Sequence, residues 1–466
     1  MKNIFFGSLG RFADKTAFIA ESGEEVSYSD LLSRADRVAS FADPRDIVFL
    51  VCRNDAESIA AYVGFLRRGV VPVMISDAVN AESLGSLKDA YRPSYIFLPT
   101  SDAAPGCEVV CGHGDYSLVR TGCGKDYTVG PDLALLLTTS GSTGSPKLVR
   151  QTYENIESNT ASIMEYLGIK PEDRAVTTLP MSYTYGISII NTHLSAGAAL
   201  ILSNGTLMDR GFWNALKTHK ATTFGGVPYT YEMLKKLRFE RMELPHLRYL
   251  TQAGGKLSAE LCAEFVGICG RKGMEFIVMY GQTEATARMS YLPWKHAYTK
   301  AGSIGIAIPG GELWLVGDDG LRIESPQVVG ELIYRGRNVT PGYAENRFDL
   351  RNGDERDGVL ETGDMAYFDE DGFYYIAGRK KRFLKIYGNR VNLDEVEGLL
   401  KRAGFDCAVA GTDDDMRIYM AGDAEDARQY VLRSTGINPA GFAVATIDAI
   451  PRNSSGKVLY SELIDG

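Results

Sequence analysis

Long apolar runs are absent from this 466-residue sequence. No stretch reaches 18 apolar residues, and the longest ones, such as Ile47–Cys52 and Ala196–Leu202, suit buried strands. A membrane-spanning helix is therefore not expected. An excess of positive charge is also absent, since the chain has 50 basic and 59 acidic residues and a formal net charge of −9. Proteins that bind nucleic-acid phosphates usually show the opposite balance, so nucleic acid is not expected as a partner.

Cysteine is scarce as well, and its count is odd: seven thiols in a long chain do not make a disulfide framework. The apolar segment at the N-terminus is too short for a signal peptide, and Arg11 interrupts it. Both observations predict a protein of the reducing cytoplasm. Four neighbouring side chains raise the question of a zinc site, namely Cys107, Cys111, His113 and Cys123. Their spacing matches no usual zinc knuckle, so ordinary strand and loop side chains are predicted.

The composition that is present is that of a globular protein with a large core, with 45% apolar and 23% charged residues. At about 150 residues per domain, the length suggests roughly three structural units. The predicted strands are Ile47–Val51, Val70–Ile75, Tyr95–Leu98 and Leu133–Leu137. The predicted helices are Ser29–Phe41, Ala56–Arg68, Tyr153–Leu167 and Tyr229–Leu237. This alternation predicts an α/β fold with parallel strands and right-handed crossover connections.

The pattern changes twice farther along the chain. After about Gly302, glycine-rich segments separate short strands, as in a small β-barrel or a meander. From Arg379 to Arg390 there are six basic side chains and no acidic one, whereas residues 391–466 hold thirteen acidic and seven basic side chains. A cationic segment before a small acidic module predicts a linker between two bodies near Arg379. The same segment could bind an anion, or it could be a solvated hairpin.

The strongest local motif is Thr138–Lys147, a loop of glycines and hydroxylated residues that follows an apolar strand and ends in a lysine. Glycines let several backbone N–H groups converge, hydroxyls add donors, and Lys147 adds a positive charge. A polyphosphate group requires this combination. The spacing is not that of a Walker A loop, and a plain surface turn is the alternative for this segment taken alone.

Four further segments carry groups suited to a nucleotide. The residues Tyr280-Gly281-Gln282-Thr283-Glu284 follow the apolar run Phe276–Met279 and offer a stacking ring, a hydroxyl and a carboxylate for Mg²⁺. Ala253-Gly254-Gly255 permits close approach of a flat ligand to the backbone. Glu361-Thr362-Gly363-Asp364 offers a carboxylate for sugar hydroxyls, and Pro451–Lys457 presents a lysine on a small polar loop. Each segment alone has a structural alternative, such as a capped helix start or a strand-end turn.

Taken in their order along the chain, the five motifs resemble the adenylate-forming (AMP-binding) superfamily of acyl- and aryl-CoA synthetases, peptide-synthetase adenylation domains and firefly-type luciferases. The resemblance covers about Ser27 to Gly466 and is nearest in type to acyl-CoA synthetases and acyl-carrier ligases. It implies an α/β fold in which a large N-terminal domain of parallel α/β subdomains, with a small β-barrel-like part, precedes a small mobile α+β C-terminal domain. Residues 1–380 would form the AMP-binding domain, and residues 381–466 would form the small domain that carries the catalytic lysine.

The resemblance also implies which residues bind ATP. Those expected around its β- and γ-phosphates are Thr139, Ser140, Gly141, Ser142, Thr143, Gly144 and Lys147. Those expected around adenine and ribose are Gly254, Gly255, Tyr280, Asp364 and Arg379. The family's roles for the reacting groups fall on Thr283 at the α-phosphate, Glu284 at Mg²⁺, and Lys457 between the carboxylate and the α-phosphate. Lys381 falls on the hinge position.

The activity that this resemblance implies is that of an acid–thiol ligase. A carboxylic acid attacks the α-phosphate of ATP, pyrophosphate leaves, and the acyl-adenylate is then attacked by the thiol of CoA. Transfer to the pantetheine of an acyl-carrier protein is the alternative, and a catalytically inactive nucleotide-binding scaffold is a remote one. The C-terminal module is shorter than is usual in the family, which leaves the thiol acceptor open. The sequence does not indicate the oligomeric state.

The acid is only partly defined by the sequence. In Leu179–Gly186, Tyr183 stands where amino-acid activators carry an aspartate that pairs with the substrate ammonium. A plain carboxylic acid is therefore a better candidate than an α-amino acid. The residues expected around the acid are Tyr183, Tyr185, Val227 and Tyr229, with core packing as the alternative. Arg382 stands where relatives often have an acid.

Overall fold

The computed structural model describes residues 5–20, 22–138, 147–386, 389–422, 424–435, 437–452 and 458–464. The chain forms two compact units. The large unit consists of Met1–Glu312 and Tyr334–Leu360, and the small unit consists of Leu313–Ile333 and Glu361–Gly466. The small unit thus includes residues 361–380, which precede the predicted domain boundary. The division at residue 380 stays a prediction.

Nine strands form one sheet of the large unit. Its six central strands are parallel and lie side by side in the order Glu275–Tyr280, Tyr249–Gln252, Thr223–Gly226, Arg174–Val176, Ala199–Ile201 and Thr16–Ile19. Antiparallel strands extend the edges, with Ser290–Tyr291 and Ile306–Ala307 on one side and Glu25–Ser27 on the other. Because parallel strands end at the same edge of a sheet, the loops that follow Gly226, Gln252 and Tyr280 are neighbours.

Eight strands form the second sheet of the large unit. Its parallel centre has the order Leu133–Thr138, Val71–Ser76, Ile47–Cys52 and Tyr95–Pro99. Antiparallel strands continue it in two directions, first Leu148–Thr152 and Gly342–Ala344, and on the other side Tyr116–Arg120 and Glu108–His113. Ile47–Cys52 is buried along its whole length, as expected for a strand covered on both faces. All four predicted strands lie in this sheet.

The helices of the large unit are Tyr28–Ala39, Ala56–Arg68, Ala81–Tyr91, Tyr153–Leu167, Thr184–Ala196, Arg210–Thr218, Pro228–Lys236 and Ala259–Arg271. Local signals set their bounds: Ser27 and Thr152 form capping boxes at two helix starts, and Gly69, Gly168 and Gly197 take the left-handed conformation at helix ends. The helices alternate with parallel strands, which confirms the predicted α/β class. Among the described helices, none has both the length and the apolar character needed to span a bilayer.

The small unit is built mainly of antiparallel strands and short helices. Its main sheet has the order Arg322–Ile323, Glu312–Val316, Gly330–Arg335, Val359–Phe368 and Tyr374–Arg379. Different strands form the two edges, so the residues described here show an open sheet and no closed barrel. Further strands are Phe383–Ile386, Asn389–Asn392, Cys407–Thr412, Asp415–Met420 and Phe442–Thr446, and the helices are Leu393–Arg402, Ala424–Thr435 and Ser461–Ile464. A cluster that includes Leu400, Val409 and Ile418 forms a separate core under these elements.

Candidate active site

The loop after the strand Glu275–Tyr280 is tightly constrained. A Cβ at Gly281 would collide with the carbonyl oxygen of Ala287, so only glycine fits there. Thr286 has φ 66° and ψ −64°, and the N–H of Ala287 donates to the carbonyl oxygen of Ala285 at 2.7 Å. These values define a γ-turn that a β-branched residue rarely adopts. Backbone strain of this kind persists only when the surroundings enforce it, and it is frequent at functional sites.

Two side chains and one main-chain carbonyl from other parts of the chain hold this turn. The Thr184 hydroxyl donates to the carbonyl oxygen of Thr286, and the Thr286 hydroxyl donates to the carbonyl oxygen of Asn338 at 2.7 Å. The amide of Gln151 also reaches the Thr286 carbonyl oxygen, at 3.4 Å. The turn directly follows Glu284 and directly precedes Arg288. The hydrogen bonds that hold the turn therefore also fix the backbone of these two residues.

Glu284 is anchored through its main chain and its side chain. The N–H and the hydroxyl of Thr340 both donate to its carbonyl oxygen at 2.9 Å. The Tyr343 hydroxyl donates to its carboxylate Oε1 at 2.8 Å. Burial, and then the negative charge of Glu284, raise the pKa of Tyr343 to about 12, so this phenol stays protonated and remains a donor at neutral pH.

Tyr343 also connects Glu284 to the end of the predicted phosphate loop. The Lys147 Nζ lies 3.9 Å from the centre of the Tyr343 ring, and the Arg356 guanidinium lies 4.7 Å from it. The strand Gly342–Ala344 pairs with Leu148–Thr152, with Tyr343 opposite Val149, and this pairing brings the ring beside Lys147. Tyr343 and Arg356 were not among the predicted site residues, because they lie about 60 and 70 positions from Glu284 in sequence.

The residues present fit a magnesium ion that is bound largely by a substrate's phosphates. Glu284 supplies the carboxylate among the described residues that contact Tyr343, which are Glu284, Lys147 and Arg356. Its Oε2 makes no hydrogen bond to the described residues. No group of three His, Cys, Asp or Glu side chains in the described ranges could hold a metal alone. Mg²⁺ commonly takes one or two protein carboxylates together with phosphate oxygens and water. Cys111 and His113 lie in the strand Glu108–His113.

Tyr183 and Val227 lie against the glycine loop after the neighbouring strand Tyr249–Gln252. Gly254 has φ 84°, and a Cβ there would lie 2.5 Å from the Tyr183 hydroxyl oxygen and 3.1 Å from Val227. Tyr183, Tyr185 and Val227 belong to one apolar cluster. Burial raises the pKa of Tyr183, whose hydroxyl therefore stays neutral. The structure thus brings three of the four residues predicted for the acid pocket together.

Tyr185 and Tyr229 occupy different environments. Tyr185 is 1% exposed, and its hydroxyl lies 2.8 Å from both the carbonyl oxygen and Oγ1 of Thr251. Tyr229 is 55% exposed on the helix Pro228–Lys236 and is not part of the cluster. The assignment of both residues to the acid pocket stays a prediction.

In the small unit, Asp364 and Arg379 face each other on paired antiparallel strands. Arg379 Nε lies 2.6 Å from Asp364 Oδ1, and the carboxylate is buried. Lys381 lies in the short 3₁₀ helix Lys380–Arg382. The expected ribose contact and hinge stay predictions. Seven predicted residues lie outside the described residues, namely Thr139, Ser140, Gly141, Ser142, Thr143, Gly144 and Lys457.

Comparison with known proteins identifies the family. The AMP-binding enzyme model matches residues 5–344. The oxalate–CoA ligase of Arabidopsis thaliana is 27% identical, over 84% of this chain and 81% of its own. The 2-succinylbenzoate–CoA ligase of Bacillus subtilis is 26% identical, over 97% and 95% of the two chains. The solved O-succinylbenzoate coenzyme A synthetase of Bacillus subtilis, in complex with ATP and magnesium ion, aligns over 98% of each chain with a TM-score of 0.80 and 21% identity.

The fold and the site together define an adenylate-forming enzyme of the acid–thiol ligase class. The chain belongs to the AMP-binding enzyme family, whose model covers most of its length. The superfamily resemblance, the fold class and the enzyme class expected from the sequence are all confirmed.

Proposed function

We propose that this chain activates a carboxylic acid with ATP and passes the acyl group to CoA. The observation that carries the proposal is the arrangement around Tyr343, which joins the Glu284 carboxylate to the Lys147 ammonium. A cation and a carboxylate open to Mg²⁺ at the end of parallel strands suit a bound nucleotide triphosphate. The relatives named above are CoA ligases, which supports CoA as the acceptor.

The chemistry has two displacements. In the first, a carboxylate oxygen of the acid bonds to the α-phosphorus and the bond to pyrophosphate breaks. In the second, the thiol sulfur bonds to the acyl carbon, the thiol proton is lost, and AMP leaves with the bonding electron pair. Glu284 would hold Mg²⁺, which neutralises phosphate charge when bound. Lys147 and Lys457 would offset the negative charge that accumulates around the phosphates, and Thr283 would contact the α-phosphate.

The remaining assignments of the nucleotide site are part of the same proposal. Gly254, Gly255 and Tyr280 would contact adenine, and Asp364 with Arg379 would contact ribose. Lys381 would be the pivot about which a mobile small domain carries Lys457. The reaction would take place in the cytoplasm.

The carrier-protein alternative depends partly on the basic segment Arg379–Arg390. Three of its six cations already pair with carboxylates of the small unit: Arg379 with Asp364, Lys380 with Glu331, and Arg382 with Asp394 and Glu397. These pairs reduce the charge available to an acidic carrier helix. They therefore give the carrier no advantage over CoA as the acceptor.

A pyrophosphate-release assay with a panel of acids tests the proposal. The panel contains oxalate, indoleacetate, 2-succinylbenzoate and simple aliphatic and aromatic acids, each with CoA, with a holo carrier protein, or with neither. We expect acid-dependent release of pyrophosphate and AMP, and an acyl-CoA product. A Lys457→Ala variant is the matched control, and we expect it to bind ATP while releasing little pyrophosphate. Nucleotide binding with no acid-dependent release in the unmodified protein would instead identify a scaffold.

A further inference from the structure

Arg288 is a buried cation that no carboxylate neutralises among the residues that the structure describes. Its side chain is only 3% exposed. The guanidinium lies 3.9 Å from the centre of the Tyr185 ring and also neighbours the Tyr166 hydroxyl. Three of its contacts, to Met279 Sδ, the Ala287 carbonyl oxygen and Ser188 Oγ, are each 3.4 Å long. Strong hydrogen bonds from a guanidinium are considerably shorter.

Another buried arginine of the same unit has a carboxylate partner, which Arg288 does not have among the described residues. Arg150 is 1% exposed, and its Nη2 lies 2.8 Å from Glu355 Oε1. It also donates to the carbonyl oxygens of Pro341, Asn352 and Gly353. Removing a charge from water is costly unless an opposite charge or good hydrogen bonds compensate. Arg150 has an opposite charge beside it, whereas the groups around Arg288 are neutral: three partners at 3.4 Å, the Tyr166 hydroxyl and the face of the Tyr185 ring.

The backbone holds Arg288 firmly in place. Asn159 accepts from its N–H at 3.3 Å and donates to its carbonyl oxygen at 2.9 Å. Asn338 donates to the same carbonyl oxygen at 2.9 Å. The strained γ-turn at Thr286 lies two residues upstream. Two asparagines and a strained turn thus fix the position of a poorly compensated cation.

The guanidinium lines a small cavity that adjoins the predicted acid pocket. The cavity is small and is also lined by Tyr185, Ser188 and His193. His193 Nδ1 donates to the carbonyl oxygen of Ile189 at 2.9 Å, which leaves Nε2 as an acceptor without a partner in the described part of the chain. Tyr185 belongs both to this lining and to the cluster that contains Tyr183 and Val227.

We propose that Arg288 is an anion subsite for a second carboxylate of the substrate, so that the acid activated by this chain is a dicarboxylic acid. This inference rests on the proposed function. One carboxylate reacts with ATP, and the other lies against Arg288, whose planar fork matches a carboxylate in two parallel hydrogen bonds. The second carboxylate supplies the counter-charge that the protein itself lacks at this position.

The test compares acids that differ only in the second carboxylate, namely succinate with butyrate, glutarate with valerate, and phthalate with benzoate. Pyrophosphate release gives kcat and KM for each acid. We expect the unmodified protein to prefer the diacid of at least one pair by about 100-fold in kcat/KM, the range of a hydrogen-bonded charge pair. In Arg288→Met this preference disappears, because KM rises much more for the diacid than for the monoacid. Arg288→Lys keeps part of the preference.

Arg150→Met is the control for loss of a buried arginine, and we expect it to lower stability without changing the ratio between paired acids. If the unmodified protein releases pyrophosphate equally well with both members of every pair, the subsite is wrong and the proposed function stands. If no acid in any panel supports release, the proposed function itself fails. An equal loss for both members of a pair in Arg288→Met assigns a purely structural role. The ratio in the unmodified protein decides the question even if both variants fail to fold.

Discussion

Arg382 Nη2 lies 3.1 Å from Glu397 Oε2 in the small unit. Arg382 directly follows Lys381, the predicted hinge residue. Glu397 also accepts from the N–H of Val409 at 2.9 Å and from the hydroxyl of Tyr460 at 2.9 Å and 3.0 Å. The Arg382 guanidinium lies 4.0 Å from the centre of the Tyr460 ring. Tyr460 is three residues from Lys457 in sequence. The cluster therefore ties the turn at the predicted hinge to the segment that follows the predicted catalytic lysine.

Removing the cation from this cluster should destabilise the small unit. In Arg382→Met, the buried Glu397 loses one of its charged partners. We expect the free energy of unfolding of the small unit to fall by about 3 kcal/mol. Hydrogen exchange of the helix Leu393–Arg402 measures this loss locally. Arg417→Met is the control, because its pair with Asp415 is about half exposed and should contribute little to the free energy of unfolding. Similar small effects in both variants would contradict a structural role for the buried pair.

Glu397 should also make the stability of this unit depend on pH. Burial alone would raise the pKa of its carboxyl group, but Lys401, the Val409 N–H and Arg382 outweigh burial and hold the pKa below its ordinary value of 4.5. A carboxyl group whose pKa is lowered by folding stabilises the protein above its unfolded-state pKa. That contribution is lost as the pH falls through the folded-state pKa.

The stability difference between the unmodified protein and Glu397→Gln should accordingly be constant near neutral pH and shrink as the pH falls below 4.5. Urea titrations at a series of pH values provide the measurement. Asp415→Asn, at an exposed pair, supplies the baseline for general acid effects. If this stability difference instead grows as the pH falls, folding does not lower the pKa of Glu397, and the assignment is wrong.

Much of the fold could be predicted because its signals are local. The helices Ala56–Arg68 and Tyr153–Leu167 have the predicted bounds, since a side-chain cap and a following glycine mark each of them. The motif Tyr280–Glu284 lies at the end of a strand, as its apolar run indicates. The open form of the sheet in the small unit could not be predicted, because it depends on which strands pair across long stretches of chain.

The parts of the site that sequence reasoning missed depend on the same long-range pairing. Tyr343 reaches Lys147 because the strand Gly342–Ala344 pairs with Leu148–Thr152. Arg288 carries no motif signal, and only its burial without a carboxylate identifies it. Arg382 belongs to the basic segment Arg379–Arg390, for which a solvated hairpin was one alternative, and its side chain lies in a buried ionic cluster. Sequence spacing does not reveal which distant carboxylates will meet a given cation.

Tyr343 should matter through its hydroxyl more than through its ring. Tyr343→Phe keeps the contact with Lys147 but removes the hydrogen bond that orients Glu284. We expect kcat/KM for ATP to fall about 10-fold and the Mg²⁺ concentration for half-maximal rate to rise, as a charge-assisted hydrogen bond is lost. Tyr298→Phe is the matched control, since Tyr298 is 72% exposed. An unchanged Mg²⁺ dependence in Tyr343→Phe would show that the hydroxyl does not position the carboxylate.

Gly254 and Tyr183 should be energetically coupled, because the hydroxyl of the tyrosine occupies the space where a Cβ at Gly254 would lie. Gly254→Ala introduces both this clash and the strain of a side chain at φ 84°. We therefore expect the free energy of unfolding to fall by about 2 kcal/mol. Adding Tyr183→Phe removes the clash but leaves the strain, and it should recover about 1 kcal/mol. Urea unfolding of the two single variants and the double variant completes the cycle. Strictly additive effects would show that the hydroxyl and the glycine do not meet, and the acid pocket would then need a different wall at this position.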